Sequence, residues 1–237
     1  MNKLTRVTLT LLLTLGLNTL SAHSLWIETA ATGKAGQAQN VKLFFGEYGQ
    51  QERDELDKWH SDLKELTLWL TGPDGHKEKL TISQGANYCE ANFTPEQDGV
   101  YTLLVNHKIK DMSGTSQLEF LASTNVVVGK PVKSIDPATN TNELKVLPVT
   151  PAKLNAPVKV KVWLKGEAKA GLSVLLFSPI NWGQELTTDA DGTVSFTPLW
   201  PGKYVIEAMA STGPGEFNGN KYTSLWQGAT YSFDVSK

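Results

Sequence analysis

The chain has 237 residues, of which 40% are hydrophobic and 19% are charged, and its formal net charge is −2. This apolar content excludes an intrinsically disordered chain, and the near-neutral charge without a strongly basic stretch argues against nucleic-acid binding. A single cysteine excludes a disulfide framework and a metal site built of cysteines alone. The sequence also lacks the motifs GxSxG, GxxxxGKT, HExxH and GxGxxG, which are typical of hydrolases and nucleotide-binding proteins.

The first segment has the pattern of a cleaved secretory signal. Lys3 and Arg6 precede a short apolar run, and a polar break with small residues follows this run and ends at Ala22. The apolar run is about half of the roughly 20 residues that a membrane-spanning helix needs. We therefore predict a signal peptide over residues 1–22 and a mature periplasmic protein that does not insert into a membrane.

Cleavage after Ala22 would make His23 the first residue of the mature chain. A terminal histidine offers two nitrogens, the α-amine and the ring Nδ1, which together can chelate a transition metal. Copper binds most tightly to such nitrogen ligands. The alternative is that a histidine follows the cleavage site by chance, since terminal residues are commonly disordered.

Strand patterns dominate the rest of the chain, and helical periodicity is scarce. Short runs of alternating or continuous apolar residues are separated by glycine- and proline-containing turns, which is typical of β-sandwiches. We therefore predict an all-β protein. The predicted strands cover residues 41–45, 66–70, 101–109, 125–128, 144–147, 158–164, 172–177, 193–196, 204–208 and 230–235.

One motif occurs twice in the chain. Residues 93–101 and 196–204 carry Phe, Thr, Pro, Gly and Tyr at the same positions. A tyrosine placed just inside a strand resembles the tyrosine corner of immunoglobulin-like folds. We therefore predict two β-sandwich domains, at residues 23–129 and 143–237, joined by a polar linker over residues 130–142.

A polar and acidic insertion near residues 50–63 interrupts the first predicted domain. Its few apolar residues fall at helical spacing. On a helix, Asp57 and His60 would project to the same side and form a pair of metal ligands, or His60 would cap an apolar face beside Trp59. Insertions carried on a rigid sheet often hold binding residues.

All four histidines lie in the first predicted domain. One nitrogen from His60 or His107 would complete a three-nitrogen metal site with His23, and Glu47 or Asp57 could add an oxygen ligand. His107 alternates with apolar residues of a predicted strand, so a core or rim position is the alternative. Metal binding should weaken below about pH 6, because the ligand nitrogens must be neutral. We expect Cys89 to be buried as a small hydrophobic residue.

Three tryptophans in predicted loops of the second domain suggest a different function. Trp182, Trp200 and Trp226 would either form exposed platforms for sugars or partner proteins, or pack within a core or between the domains. Trp200 stands where the first copy of the repeated motif has Gln97, so the fold of both copies does not require it.

The mature chain resembles a bacterial periplasmic family. The family carries a domain of unknown function, and its members are often labelled nickel-uptake substrate-specific proteins, the NikM-like group. The segments that carry the resemblance are residues 22–28 (AHSLWIE), 45–48 (FGEY), 70–75 (LTGPDG), 93–95 (FTP), 99–101 (GVY), 188–192 (TDADG) and 228–233 (GATYSF).

This resemblance implies two β-sandwich domains, the second similar to carboxypeptidase-regulatory or prealbumin-like modules, and a role in the uptake or handling of transition metals. His23 and Trp26 match the opening motif of the family. The chain departs from the family pattern at Glu47 and before its last strand at Gln227, where further histidines are expected.

We therefore expect a non-enzymatic periplasmic protein that binds a divalent transition metal, with nickel or copper favoured over cobalt, zinc or iron. The candidate ligands are His23, His60, His107 and Glu47. The expected partner is an inner-membrane permease or an outer-membrane receptor. The alternatives are a metal-free interaction or carbohydrate-binding module, and a redox enzyme with a histidine-brace metal site.

Overall fold

Short apolar runs form β-strands throughout the chain. The structure is a computed structural model that describes residues 23–236. The predicted signal peptide lies outside the described residues. Between residues 23 and 236 the regular elements are strands and short 3-10 helices, without an α-helix. The prediction of an all-β, sandwich-type protein is therefore confirmed.

The strands of the two halves are of unequal length, and the longest lie in the middle and at the end of the chain. In the amino-terminal half they are β1 (Ser24–Glu28), β2 (Thr32–Gly33), β3 (Gln39–Gly46), β4 (Leu68–Thr71), β5 (Lys77–Lys79), β6 (Ser83–Gln84), β7 (Cys89–Phe93), β8 (Gly99–Lys108) and β9 (Ser116–Val128). In the carboxy-terminal half they are β10 (Leu144–Pro148), β11 (Val158–Leu164), β12 (Glu167–Ala168), β13 (Ser173–Phe177), β14 (Gly183–Thr187), β15 (Thr193–Phe196), β16 (Gly202–Thr212), β17 (Gly215–Phe217), β18 (Asn220–Tyr222) and β19 (Ser224–Val235).

A nine-stranded central sheet runs through both halves of the chain. Its strand order is β14-β13-β16-β19-β9-β8-β4-β5, and β2 lies beside the end of β9. The two halves meet where β9 and β19 pair in parallel, from Ser116 opposite Ser224 to Thr124 opposite Ser232. This pairing of β9 with β19 joins the strands of the two halves into one sheet.

Two smaller sheets cover opposite faces of the central sheet. The sheet β1-β3-β7-β6 covers the face that carries Phe120 and Ala122 of β9, and these residues belong to the first hydrophobic core. The sheet of β10, β11, β12 and β15 covers the other face, where Leu121 belongs to the second core. Successive residues of a strand point to opposite faces, so β9 contributes to both cores.

The repeated motif forms two tyrosine corners, as predicted. The Tyr101 hydroxyl accepts hydrogen bonds from the backbone N–H groups of Glu96 and Gln97 and donates to the Gln97 carbonyl. The Tyr204 hydroxyl bonds in the same way to the N–H and carbonyl of Trp200. Each corner ties the entry of a long strand to the loop before it.

The insertion near residues 50–63 contains no α-helix, so the predicted helical turn is wrong. The structure has three-residue 3-10 helices at Tyr48–Gln50, Leu56–Lys58 and Leu63–Glu65. His60 lies between the second and third of these, and Ser61 after it has a left-handed φ of 52° that ends any right-handed helix there. The expected placement of Asp57 and His60 on one helix face therefore fails.

The predicted linker over residues 130–142 includes a 3-10 helix at Pro137–Thr139 and ends in two buried asparagines. Asn140 donates to the Ser123 hydroxyl, and Asn142 donates to the backbone carbonyl of Val105. The end of this segment is thus fastened to the central sheet. The two-domain division of the chain remains a prediction. Of the described residues, none belongs to a helix that is long and apolar enough to cross a membrane.

Candidate functional site

The pairing of β1 with β3 places His23 beside Glu47. Ser24, the first residue of β1, lies opposite Gly46, the last residue of β3. The residue before one strand and the residue after the other are therefore neighbours. Glu47 is buried, with 8% of its surface exposed, and its carboxylate accepts a hydrogen bond from the Gln50 side chain.

The backbone turns at Gly46, so that the insertion passes back across the end of β3. Its φ is 145°, a conformation that favours glycine, and a Cβ atom there would lie 2.6 Å from the backbone oxygen of Glu52. The N–H of Asp54 then donates to the Phe45 carbonyl over 2.9 Å. This close passage brings the Asp54 side chain to the same place as His23.

The His23 imidazole lies between two carboxylates. Its Nδ1 atom is 3.4 Å from Oε1 of Glu47, and its Nε2 atom is 3.4 Å from Oδ2 of Asp54. The Phe45 ring packs beside the imidazole at a centroid distance of 5.5 Å. About half of the His23 side chain, 48%, remains exposed to solvent. The ring is therefore held in place and is still reachable from outside.

A cleft of about 490 Å³ opens next to this imidazole. Its apolar wall is a chain of aromatic contacts, with Phe45 against Phe120 at 5.4 Å and Phe120 against Trp226 at 5.6 Å. Charged and polar groups occupy the other wall. The lining residues are His23, Phe45, Asp54, Lys58, His60, Leu118, Phe120 and Trp226.

The structure brings three of the four predicted ligands to this region. His23 and Glu47 are in direct contact, and His60 lines the same cleft as an exposed residue. His107 is not part of the cleft lining, and its Nε2 atom lies 3.4 Å from Oδ1 of Asp62. Within residues 23–236, no group of three or more His, Cys, Asp or Glu side chains has the arrangement of a metal site.

Asp62 is the acidic neighbour of His107, which itself lies on β8 opposite Phe120. Partial burial acts to raise the pKa of Asp62, but the hydrogen bond from the Lys110 backbone N–H and the adjacent His107 outweigh it, so the pKa is lowered. His107 thus belongs to a local network at the end of β8.

Asp54 and Trp226 are two cleft residues whose positions the sequence analysis did not predict. Asp54 belongs to the acidic insertion, and only the path of the backbone after Gly46 reveals that it faces His23. Trp226 was expected in a loop, and this prediction is wrong because the residue lies within β19 and contacts Phe120. The signal that locates Trp226 is the length of β19, which begins at Ser224.

A buried carboxyl group lies behind the tryptophan wall of the cleft. A Cβ atom at Gly228 would lie 2.5 Å from the Trp226 ring and 2.9 Å from Oε1 of Glu207. Glu207 has 1% of its surface exposed, and burial raises the pKa of its carboxyl group to about 8. This side chain is therefore mostly protonated at neutral pH.

A family model described as a domain of unknown function, DUF4198, matches residues 20–212. The chain belongs to the DUF4198 family. No curated protein matches this DUF4198 chain.

Two solved structures share a distant likeness with the DUF4198 protein. One is a membrane-anchored protein from Corynebacterium diphtheriae, with 12% identity, a TM-score of 0.30, and coverage of 91% of this chain and 59% of that one. The other is a variant of Salmonella alpha-2-macroglobulin, with 13% identity, a TM-score of 0.30, and coverage of 89% and 15%. The chain thus spans less than two thirds of the length of either protein.

Proposed function

We propose that this DUF4198 protein binds a divalent transition metal at the His23 cleft and serves in metal uptake or handling in the periplasm. The observation that carries the proposal is the position of the His23 imidazole, with one ring nitrogen on Glu47 and the other on Asp54. The proposed role is binding, without a catalytic step.

The distance between Nδ1 of His23 and Oε1 of Glu47 suits two ligands of one metal ion. Ligands at about 2.1 Å from a tetrahedral metal are roughly 3.4 Å apart, and the observed separation is 3.4 Å. The Nε2 atom on the far side of the ring faces Asp54. Metal-bound histidines commonly donate their second ring N–H to a carboxylate, which fixes the ring and raises its basicity.

The remaining ligands would come from the backbone of His23 and from a second histidine that lines the cleft. If processing follows Ala22, the α-amine of His23 closes a chelate with Nδ1. His60 lines the same cleft and offers a further imidazole. A set of amine, imidazole and carboxylate donors suits copper, nickel, zinc or iron, and copper binds tightest at nitrogen ligands. We favour nickel or copper.

The resemblance to nickel-uptake proteins supports a role in delivery to a membrane partner. A permease of the inner membrane or a receptor of the outer membrane would receive or supply the ion. The half-exposed imidazole supports such exchange, because a ligand that is open to solvent can be approached by a partner's ligand.

The decisive experiment measures metal affinity of the chain that begins at His23, by calorimetry and native mass spectrometry with Ni²⁺, Cu²⁺ and Zn²⁺. His23→Ala should lower the affinity at least 100-fold, and Asp54→Asn should lower it about 10-fold through loss of ring orientation. His76→Ala is the matched control, because His76 is exposed on a distant turn. Binding should also weaken as the pH is lowered from about 7.5 to about 5.5.

A chain with one extra residue before His23 tests the α-amine separately, since its imidazole is intact and its chelate is not. Metal affinity that is the same in the parent chain and in His23→Ala would contradict the proposal. Lost affinity in His23→Ala with full affinity in the extended chain would retain the imidazole as a ligand and exclude the amine.

A further inference from the structure

The two edges of the central sheet differ in how they are protected against pairing with another strand. At one edge, β5 consists of three charged and exposed residues, Lys77, Glu78 and Lys79. At the other edge, β14 has five residues, of which Glu185 alone is charged, and it contains neither lysine nor proline. Short edge strands and charged side chains, lysine above all, prevent the addition of a further strand. The β5 edge is therefore protected, and the β14 edge is not.

The hydrogen bonds at the two ends of β14 show which of its backbone groups point away from β13. The Ser178 N–H donates to the Trp182 carbonyl over 2.9 Å, and the Thr188 N–H donates to the Leu172 carbonyl over 3.0 Å. Hydrogen-bonded pairs alternate with non-hydrogen-bonded pairs along an antiparallel ladder. Every second residue of β14 therefore directs its N–H and C=O groups outward. These exposed residues are Gly183, Glu185 and Thr187.

Exposed apolar side chains lie at the start of this edge. Ile180 and Trp182 come directly before β14, with exposed fractions of 52% and 43%, and Leu199 in the neighbouring loop has an exposed fraction of 56%. The rings of Trp182 and Trp200 are in contact, with their centroids 5.9 Å apart. We name these four residues the apolar corner. A group of exposed apolar side chains is typical of a binding surface.

The repeated motif shows that the fold does not require these apolar side chains. The turn before β14 has an equivalent in the first half of the chain, where the Gly72 N–H donates to the His76 carbonyl over 2.9 Å. The positions equivalent to the apolar corner are polar there, and they are Asp74, His76, Glu96 and Gln97. This polar copy lies beside β4 and β8, which are at least five strand spacings of about 4.8 Å away from β14. Its carboxylates are therefore remote from the β14 edge.

The outward groups of β14 match the backbone of another strand. Donors and acceptors that recur at every second residue pair with the main chain of an extended polypeptide segment, and neighbouring side chains supply specificity. We propose that β14 accepts an extended segment of a partner protein as a further strand of the central sheet. The apolar corner then packs against apolar side chains at one end of this segment.

The side chains of β14 define the chemistry of the partner segment. Leu186 packs at the margin of the second core, so residues beside it on the same face of an added strand would be apolar. Glu185 is exposed, and a Lys or Arg opposite it would form a favourable cross-strand pair. A second copy of the chain fits less well. If two β14 strands paired antiparallel over all five residues, Glu185 would lie opposite itself, and like charges in that position destabilise a sheet.

Selection of peptides on the mature chain tests the proposal. The probe is a phage-displayed library of random dodecapeptides, and the affinity of each enriched peptide is measured by fluorescence polarisation. We expect peptides with alternating apolar residues and a Lys or Arg. Thr187→Pro should weaken their binding about 10-fold or more, because it removes an outward N–H group and leaves the ladder with β13 intact. Trp182→Ala should weaken it about 10-fold through loss of the aromatic contact.

Thr187→Val retains the N–H group and is the matched control, so it should bind the peptides as the parent does. Circular dichroism confirms the fold of Thr187→Pro. His23→Ala should also bind as the parent does, because the β14 edge is separate from the proposed metal site. Failure to enrich any peptide, or equal affinities of the parent and Thr187→Pro, would overturn the proposal. Binding that is lost in Trp182→Ala and unchanged in Thr187→Pro would overturn strand addition and assign the peptides to the apolar corner alone.

Discussion

Glu207 shows how a single buried group can set the pH dependence of stability. Within the described part of the chain, neither carboxyl oxygen of Glu207 has a hydrogen-bond partner. Burial disfavours the charged form and raises the pKa from its ordinary value of 4.5 to about 8. The folded protein therefore holds this proton over a pH range in which the unfolded chain has released it.

The direction of the pH dependence of stability follows from this difference in proton binding between the folded and the unfolded chain. The contribution of Glu207 to stability is complete below the unfolded pKa and is lost as the pH rises towards about 8. The glutamine of Glu207→Gln does not ionise. We therefore expect the free energy of unfolding of the variant to increase relative to that of the parent as the pH is raised, by a few kcal/mol at about pH 9. Urea unfolding at about pH 5, 7 and 9 measures the difference. If the parent and the variant have parallel pH profiles, Glu207 does not titrate in this range.

We predict that the Cys89 thiol does not react with thiol reagents in the folded protein. It is fully buried, and burial raises the pKa of its thiol to about 11. The sequence-based expectation of a buried cysteine is confirmed. We expect a thiol reagent at about pH 8 to leave the native protein unmodified and to react at once in urea, because the thiolate is the reactive form. Fast modification of the native protein would show that the strand β7 opens locally.

The two tyrosine corners let the same side-chain change be compared in two elements. Tyr101→Phe leaves the backbone N–H groups of Glu96 and Gln97 without their hydroxyl acceptor, whereas Tyr204→Phe affects only Trp200. We expect losses in unfolding free energy of about 1–3 kcal/mol for Tyr101→Phe and about 1 kcal/mol for Tyr204→Phe. Urea unfolding measures both, with Tyr222→Phe on the hairpin of β17 and β18 as the control. Equal losses would mean that the extra bond at Tyr101 contributes nothing.

Several strands with an apolar pattern were predicted from the sequence, and the polar beginnings of the two longest strands were not. The prediction for residues 158–164 matches β11, and the one for residues 193–196 matches β15. In contrast, β9 and β19 begin well before the predicted strands. Their first residues include Glu119 and Gln227, which are buried and bonded to each other over 2.6 Å. A polar residue in a sequence predicts exposure, and only the partner strand shows that it is paired.

The candidate site also contains residues whose positions the sequence predicted and residues whose positions it did not. His23 and Glu47 were predicted as candidate ligands of one metal site, and the structure places them side by side because both flank paired strands. The position of Asp54 depends on the backbone path after Gly46, which does not follow from spacing along the chain. The contact of His107 with Asp62 likewise depends on how the insertion packs against the end of β8. Residues on loops are placed by tertiary contacts that a strand pattern does not encode.

On the scale of the whole molecule, the continuous sheet couples the two halves. The pairing of β9 with β19 is one of the most extensive in the structure, and the Trp226 side chain from the second half packs against the first core. We therefore expect a single cooperative unfolding transition in urea, with tryptophan fluorescence and far-ultraviolet circular dichroism coinciding. Two separated transitions would show instead that the halves are independent domains.

A fragment of residues 23–129 extends this test. It lacks the strand that covers one edge of β9 and lacks Trp226, so we expect it to remain unfolded or to aggregate. Near-ultraviolet circular dichroism and gel filtration of the fragment measure this. A monomeric fragment with native-like tertiary signal would contradict the expectation.

The pairing of β9 with β19, which lies 108 residues further along the chain, also determines when the protein can complete its fold. During synthesis, β9 leaves the ribosome long before β19, and this edge of β9 has no neighbour until β19 has been made. The nascent chain therefore stays incompletely folded until the residues of β19, Ser224–Val235, have been made. The same pairing predicts the fate of a chain truncated before Ser224. Such a chain would leave this edge of β9 unpaired, and we expect proteases to degrade it.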